Sequence, residues 1–228
     1  MKKEWRVLLP GDTDPHRNMA LEESLLLSVE DSSSPNTLRF WKNERSVFLG
    51  FSEKPEEELD LESCFKYHVS VVKRFTGGGT VYHDLGNLNW TIVYQKNSHI
   101  MKNIKGFTDI FMKLSYPLIA SLQDLDVDAK FKPPTGIYLF DKKISGMAMR
   151  IKRNSILCHG TLLIDADLNI LHSILRNLKE PVTNINDYTS TKISQSDIIQ
   201  KMIENVQKIF RIQCKYGDLN RTEKKNIE

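Results

Sequence analysis

The sequence predicts an α+β fold: a mixed, largely antiparallel sheet flanked by helices. Three observations carry that expectation. Segments of strand character come in runs rather than in strict alternation with helices. Two long stretches, from Phe107 to Leu122 and from Ile198 to Phe210, repeat apolar residues at helical spacing. Three successive glycines, Gly77 to Gly79, interrupt strand sequence on both sides.

Trp5 to Leu9 reads as the first strand, closed by Pro10 and Gly11. A helix follows from about Asp14, with Pro15 at its start and Met19, Leu21, Leu25, Leu26 and Val29 on one face. The polar run from Asp31 to Asn36 is a loop. Thr37 to Trp41 and Ser46 to Leu49 form strands around a polar turn, and Pro55 opens an acidic helix running to Tyr67. Val69 to Phe75, Thr80 to Tyr82 and Asn87 to Tyr94 are strands. Pro117 falls inside the Phe107 helix and is expected to kink or split it. Four short strands come next: Ala129 to Lys132, Gly136 to Phe140, Lys143 to Ile151 and Ser155 to Ile164, the last two a hairpin turning at Lys152 to Asn154. Leu168 to Leu178 is a short helix. Ser194 with Asp197 caps the last helix.

With 228 residues, 40% hydrophobic and 27% charged, one globular domain spanning 1–228 can bury a core, and 220–228 reads as a charged, frayed tail. A net charge of +3 is too small to argue for nucleic acid. Cys64, Cys158 and Cys214 are odd in number and form no CxxC pair, which points to a reducing compartment without disulfides or zinc. The N-terminus lacks the apolar run of a signal peptide, and no stretch approaches the roughly 20 apolar residues of a membrane span. A cytoplasmic protein is expected. His16, His68, His99 and His172 show no metal-ligand spacing, so the sequence names no metal ligands.

The segment Lys73 to Asn87, KRFTGGGTVYHDLGN, carries the most chemistry. Successive glycines free the backbone to approach a ligand and to turn its amides toward a phosphate or carboxylate. Arg74 stands ready to complete such a site as a planar fork. Neither GxxxxGK[ST] nor GxGxxG is present, and a plain hairpin turn remains the alternative when the glycines are taken alone.

The same segment resembles the R-R-x-[ST]-G-G-G-x-V-x-H-D-x-G-N signature of the lipoate–protein ligase family. KISGMA (Lys143 to Ala148) resembles that family's K-[IV]-x-G-x-A block, and HGTLL (His159 to Leu163) its H-G-T-L-L strand. NMALEE (Asn18 to Glu23), Leu38 to Leu61, and Thr183 with Asn184 resemble further blocks, in order, from about residue 5 to residue 210. The short archaeal type, without a C-terminal accessory domain, is the nearest in pattern.

The resemblance implies the biotin/lipoate ligase fold, related to class II tRNA synthetases. It implies activation of lipoate by ATP to lipoyl-AMP, with Mg2+, and transfer to a lysine of a lipoyl domain. Acceptors would be lipoyl domains of 2-oxoacid dehydrogenase complexes or glycine cleavage H protein, and a separate accessory-domain protein is expected as partner. Lys143 would be the catalytic lysine. Arg74, Gly79, Thr80, Val81, Tyr82 and Lys143 would bind ATP; Arg74, Gly77, Gly78, His83 and Lys143 would bind the acid. The chemistry requires cationic groups because two anions, a carboxylate and an α-phosphate, must meet. His83 is expected to orient the glycine turn, Asp84 to serve the turn itself, and Cys158 to pack, since it and His159 point to opposite faces of a strand.

Thr135 and Gly136 stand where many ligases carry Asn-Asp, removing a carboxylate. Three alternatives remain: an octanoyl transferase of the same fold working through a cysteine, a biotin ligase, and a non-catalytic lipoate- or nucleotide-binding relative. The first lacks its cysteine before the lysine strand, and the second lacks its own glycine motif.

Overall fold

The computed structural model describes residues 3–102 and 104–227. Strand β1 is Glu4–Leu8, and helix α1 is Pro15–Glu30. Asp14 caps α1 by accepting from the Arg17 amide at 2.8 Å, and Pro15 begins it, where a missing N–H costs nothing. Strands β2 (Thr37–Trp41) and β3 (Ser46–Leu49) follow the expected bounds. The acidic helix expected up to Tyr67 is two helices, α2 (Pro55–Glu58) and α3 (Leu61–Lys66). The break lies where Leu59 buries itself and bridges to Leu175, while Asp60 turns to cap α3 through the Ser63 amide.

Strands β4 (Ser70–Lys73), β5 (Val81–His83) and β6 (Asn87–Gln95) come next, then helix α4 (Phe107–Gln123). Pro117 lies within α4 without splitting it. Tertiary packing prevails over the local cost, because Leu114, Pro117, Leu118 and Leu122 are all buried in the main core. Strands β7 (Ala129–Lys132), β8 (Gly136–Leu139), β9 (Lys142–Ile151) and β10 (Ser155–Leu163) precede the short helix α5 (Leu168–Ile174). Helix α6 (Gln195–Phe210) starts at the Ser194–Asp197 capping box.

Two elements beyond α6 lie outside the sequence expectation. Strand β11 (Gln213–Tyr216) pairs in parallel with β1, and α7 (Arg221–Lys225) docks on α1. Residues 220–227 therefore do not fray. Glu223 is fully buried and takes both guanidinium nitrogens of Arg6 at 2.7 and 2.8 Å. Its partner lies 217 residues away, so no local pattern reveals it. Glu228 lies outside the described residues.

The main sheet has the order β11-β1-β2-β6-β10-β9-β8-β7, and a second sheet has the order β4-β3-β5. Pairing is antiparallel except for β1 with β2 and β11, and β3 with β4. One face of the main sheet packs on α4 and α6, where Trp5, Phe40, Trp90 and Leu118 are buried. The opposite face carries α1 and the small sheet, and between these layers the side chains of β6, β9 and β10 line a cavity.

Candidate active site

A cavity of about 520 Å³ opens between the glycine segment and the main sheet. Its lining includes Arg74, Gly78, Gly79, Thr80, Val81, Tyr82, His83 and Lys143. These expected site residues come from three separate strands and their loops, and the fold brings them together. Gly77 is not part of the lining; its carbonyl accepts from Arg74 at 2.9 Å.

The glycine turn links β4 to β5. Gly78 has φ +90°, a conformation that L side chains rarely adopt. Its carbonyl lies where a Cβ on Gly50 would come within 1.8 Å, so Gly50, not singled out from the sequence, is required by the close approach of two loops. Nothing approaches the missing side chains of Gly77 and Gly79.

Arg74 departs from the expected role. Rather than presenting a free fork, it is buried beneath the turn and donates to the carbonyls of Phe48, Gly77 and Gly79 at 2.7, 2.9 and 2.6 Å. Burial pulls its pKa down to about 10, opposed by Glu53, and it stays charged at neutral pH. Only Nε lacks a partner among the described residues. The guanidinium shapes the turn from behind by tying down its carbonyls.

A second set of bonds fixes the same turn through residues whose roles were not read from the sequence. Thr76 bonds His159 Nε2 at 2.8 Å, and His159 Nδ1 meets Glu22 at 3.1 Å. One placement of protons satisfies both contacts: Nδ1–H donates to Glu22 and the threonine hydroxyl donates to Nε2. Glu22 also accepts from Arg39 and from Thr91, both at 2.7 Å. Burial pushes the Glu22 carboxyl up, but His159, Arg39 and Thr91 outweigh it and hold the group below its usual range. On the next turn of α1, Asn18 donates to Asn43 at 2.9 Å, and Asn43 donates to His83 Nδ1 at 3.0 Å. His83 is therefore neutral, with its proton on Nε2. Burial, Arg74 and His159 bring its pKa to about 3. The polar residues of the NMALEE block thus serve the two histidines that flank the turn. Asp84 is a turn residue as expected, accepting from Tyr82 at 3.1 Å and from the Gly86 amide at 2.8 Å.

Lys143 sits at the other end. Its ammonium donates to Glu180 at 2.9 Å, and Tyr138 donates to the other oxygen of that carboxylate at 2.6 Å. The side chains of Lys143 and Glu180 are 26% and 44% exposed, so this is a solvent-facing pair, unlike Glu22 with Arg39. Hydrogen bonds from Tyr138 and Lys143 hold the Glu180 carboxyl below its usual range. The backbone fixes this end: Lys143 N donates to Pro181 O at 2.8 Å and Thr183 N to Lys143 O at 3.2 Å. Asn184, from the T-N block, clamps both the amide and the carbonyl of Ala166.

Cys158 is fully buried in the main core, its thiol pushed up by burial, while His159 on the adjacent position lines the cavity. The two face opposite sides of β10, as expected. No cluster of three or more metal-type side chains occurs among the described residues.

A glycine turn and a strand lysine line one cavity beside a mixed sheet. Residues 14–207 match the lipoyl protein ligase A/B catalytic domain, and the chain belongs to that family. It is 30% identical over 217 residues to lipoate-protein ligase A subunit 1 of Thermoplasma acidophilum, covering 84% of this chain and 79% of that one. It spans 47% and 59% of the length of two longer bacterial relatives. A T. acidophilum structure with bound lipoic acid superposes with a TM-score of 0.85 at 26% identity, covering 100% of this chain and 93% of that one. A lipoate-protein ligase A structure bound with ATP gives a TM-score of 0.84 at 27% identity, with the same coverage.

Proposed function

We propose that the protein is a lipoate–protein ligase, activating lipoate with ATP and passing the lipoyl group to a lysine of a lipoyl domain. The observation that carries this reading is the convergence of the Lys143 end and the glycine turn on one cavity, with an apolar recess of Met19, Trp41 and Phe48 beyond them. Relatives with bound lipoic acid and with bound ATP support both reactants.

In this reading the amides of Gly78, Gly79, Thr80 and Val81 receive the phosphates, on a turn already fixed from below. The acid's carboxylate oxygen attacks the α-phosphorus, the bond to the β-phosphate oxygen breaks, and pyrophosphate leaves with its electron pair. Lys143 offsets the repulsion between the two anions. Next, the neutral acceptor amine attacks the acyl carbon, Lys143 stabilises the oxyanion, AMP departs with the electron pair of the acyl–oxygen bond, and the amine nitrogen releases a proton to solvent as the amide forms. In the free protein Glu180 holds the ammonium where a reactant anion would stand, so substrate binding displaces it. Magnesium would arrive with the pyrophosphate moiety, held by phosphate oxygens and at most one or two carboxylates. In this reading Glu58, on the cavity lining, would supply one.

The acceptor would be a lipoyl domain of a 2-oxoacid dehydrogenase complex or the glycine cleavage H protein. A separate accessory-domain protein would take part, in line with the bi-partite lipoate protein ligase of T. acidophilum. No described helix is long and apolar enough to cross a membrane; we place the activity in the cytoplasm.

The test is the intact mass of a lipoyl domain after incubation with ATP, magnesium, lipoate and the protein, with and without the accessory protein. ATP-dependent gain of one lipoyl group that disappears in Lys143→Ala supports the ligase. Acyl transfer from octanoyl carrier protein without ATP, or nucleotide binding without turnover in every combination, rejects it.

A further inference from the structure

The floor of the cavity holds a polar group that the reading above does not use. Asn89 is 1% exposed, and neither Oδ1 nor Nδ2 has a hydrogen-bond partner among the described residues. Its backbone is fully engaged, pairing with Trp41 on β2 and with Thr161 on β10. The side chain lines the cavity. A carboxamide stripped of water with both ends unpaired is costly unless something entering the cavity completes it.

Its place in the sheet says which part of an occupant it meets. β6, which carries Asn89, is separated from β9 and Lys143 by β10, so two strand spacings, about 10 Å, divide them across the sheet. Lys143 also lies about three residues, roughly 10 Å, along β9 from the level of Asn89, so an acid paired with Lys143 meets Asn89 with the far end of a tail laid across the cavity floor. Met19, Trp41 and Phe48, a packed apolar cluster, also line the cavity, with Trp41 on the strand beside Asn89.

Resting on the ligase reading, we infer that Asn89 is a specificity-determining residue for the acyl tail, favouring one that ends in a sulfur ring over a saturated hydrocarbon of equal length. A ring sulfur accepts from Nδ2, and the polarised C–H bonds beside it face Oδ1 as weak donors. A terminal methyl does neither, and seals both amide atoms away from water. Sites that present a polar group to their ligand discriminate against analogues lacking its partner, here to a modest degree because sulfur is a weak acceptor.

Calorimetric titration of the whole protein with lipoate and with octanoate tests this, using wild type, Asn89→Leu and Asn89→Ser. Wild type binds lipoate more tightly than octanoate. Asn89→Leu lowers the affinity ratio by about tenfold, weakening lipoate and strengthening octanoate. Asn89→Ser keeps a donor and falls between; should the leucine variant not fold, the serine variant's reduced ratio decides. A ratio within about twofold of wild type in a folded variant that still binds both acids overturns the inference and leaves the ligase reading standing. Failure of wild type to bind either acid removes the ligase reading itself.

Discussion

The two ends of the cavity hold their cations in opposite ways. Behind the glycine turn Arg74 is buried and committed to three carbonyls, and Arg39, outside the cavity lining, is buried and committed to Glu22 and Asn18. At the mouth, Lys143 shares a half-exposed carboxylate with a tyrosine hydroxyl. Buried charges with complete partners are expensive to disturb, whereas exposed pairs exchange readily with solvent or ligand. The back therefore sets geometry, and in the proposed reaction the mouth would meet reactants.

The comparison breaks most visibly in stability. Glu22→Ala removes the buried carboxylate that faces both Arg39 and His159, and is expected to cost about 3–5 kcal/mol, read from denaturant midpoints. A loss below about 1 kcal/mol would mean the buried network is dispensable and the contrast is false.

Acid sharpens it next. His83 stays neutral in the folded protein down to a pKa of about 3, whereas the unfolded chain takes up a proton near pH 6.5. Stability from this group is complete above pH 6.5 and falls by about 1.4 kcal/mol per pH unit as pH drops through that window. The carboxyl of Glu22 has its ordinary value at 4.5 and a lower one here, so its own loss comes only at more acid pH. Urea midpoints at pH 7 and pH 5 should diverge in wild type and converge in His83→Phe; equal slopes in both would refute the assignment.

Glu180→Gln carries the smallest effect on stability, under about 1 kcal/mol, because the pair is exposed. It should lower the KM for lipoate a few-fold, since the acid no longer displaces a charged competitor. A raised KM with unchanged kcat would instead make Glu180 part of the binding site.

The contrast also explains what the sequence could say. Residue types and spacing within one segment made the glycine turn, the Ser194 cap and most strand bounds legible, whereas Lys143 stood out only through the family resemblance. Local pattern also mistook α2 and α3 for one helix, because the break depends on a bridge from Leu59 to a residue in the segment after α5. It could not assign Glu22 to His159, Glu180 to Lys143 or Glu223 to Arg6, contacts spanning 137, 37 and 217 positions. Arg74 was expected as a free fork, but its partners are carbonyls, which leave no trace in side-chain identity. Asn89 sits in plain strand sequence; only its burial without a partner sets it apart.

The most direct test follows pyrophosphate release from ATP upon adding lipoate, with the accessory protein present, and melts the same samples of wild type and Lys143→Ala. The account predicts a melting midpoint within about 2 °C of wild type, with release reduced at least about 100-fold. Release within about threefold of wild type by a folded Lys143→Ala protein would contradict it.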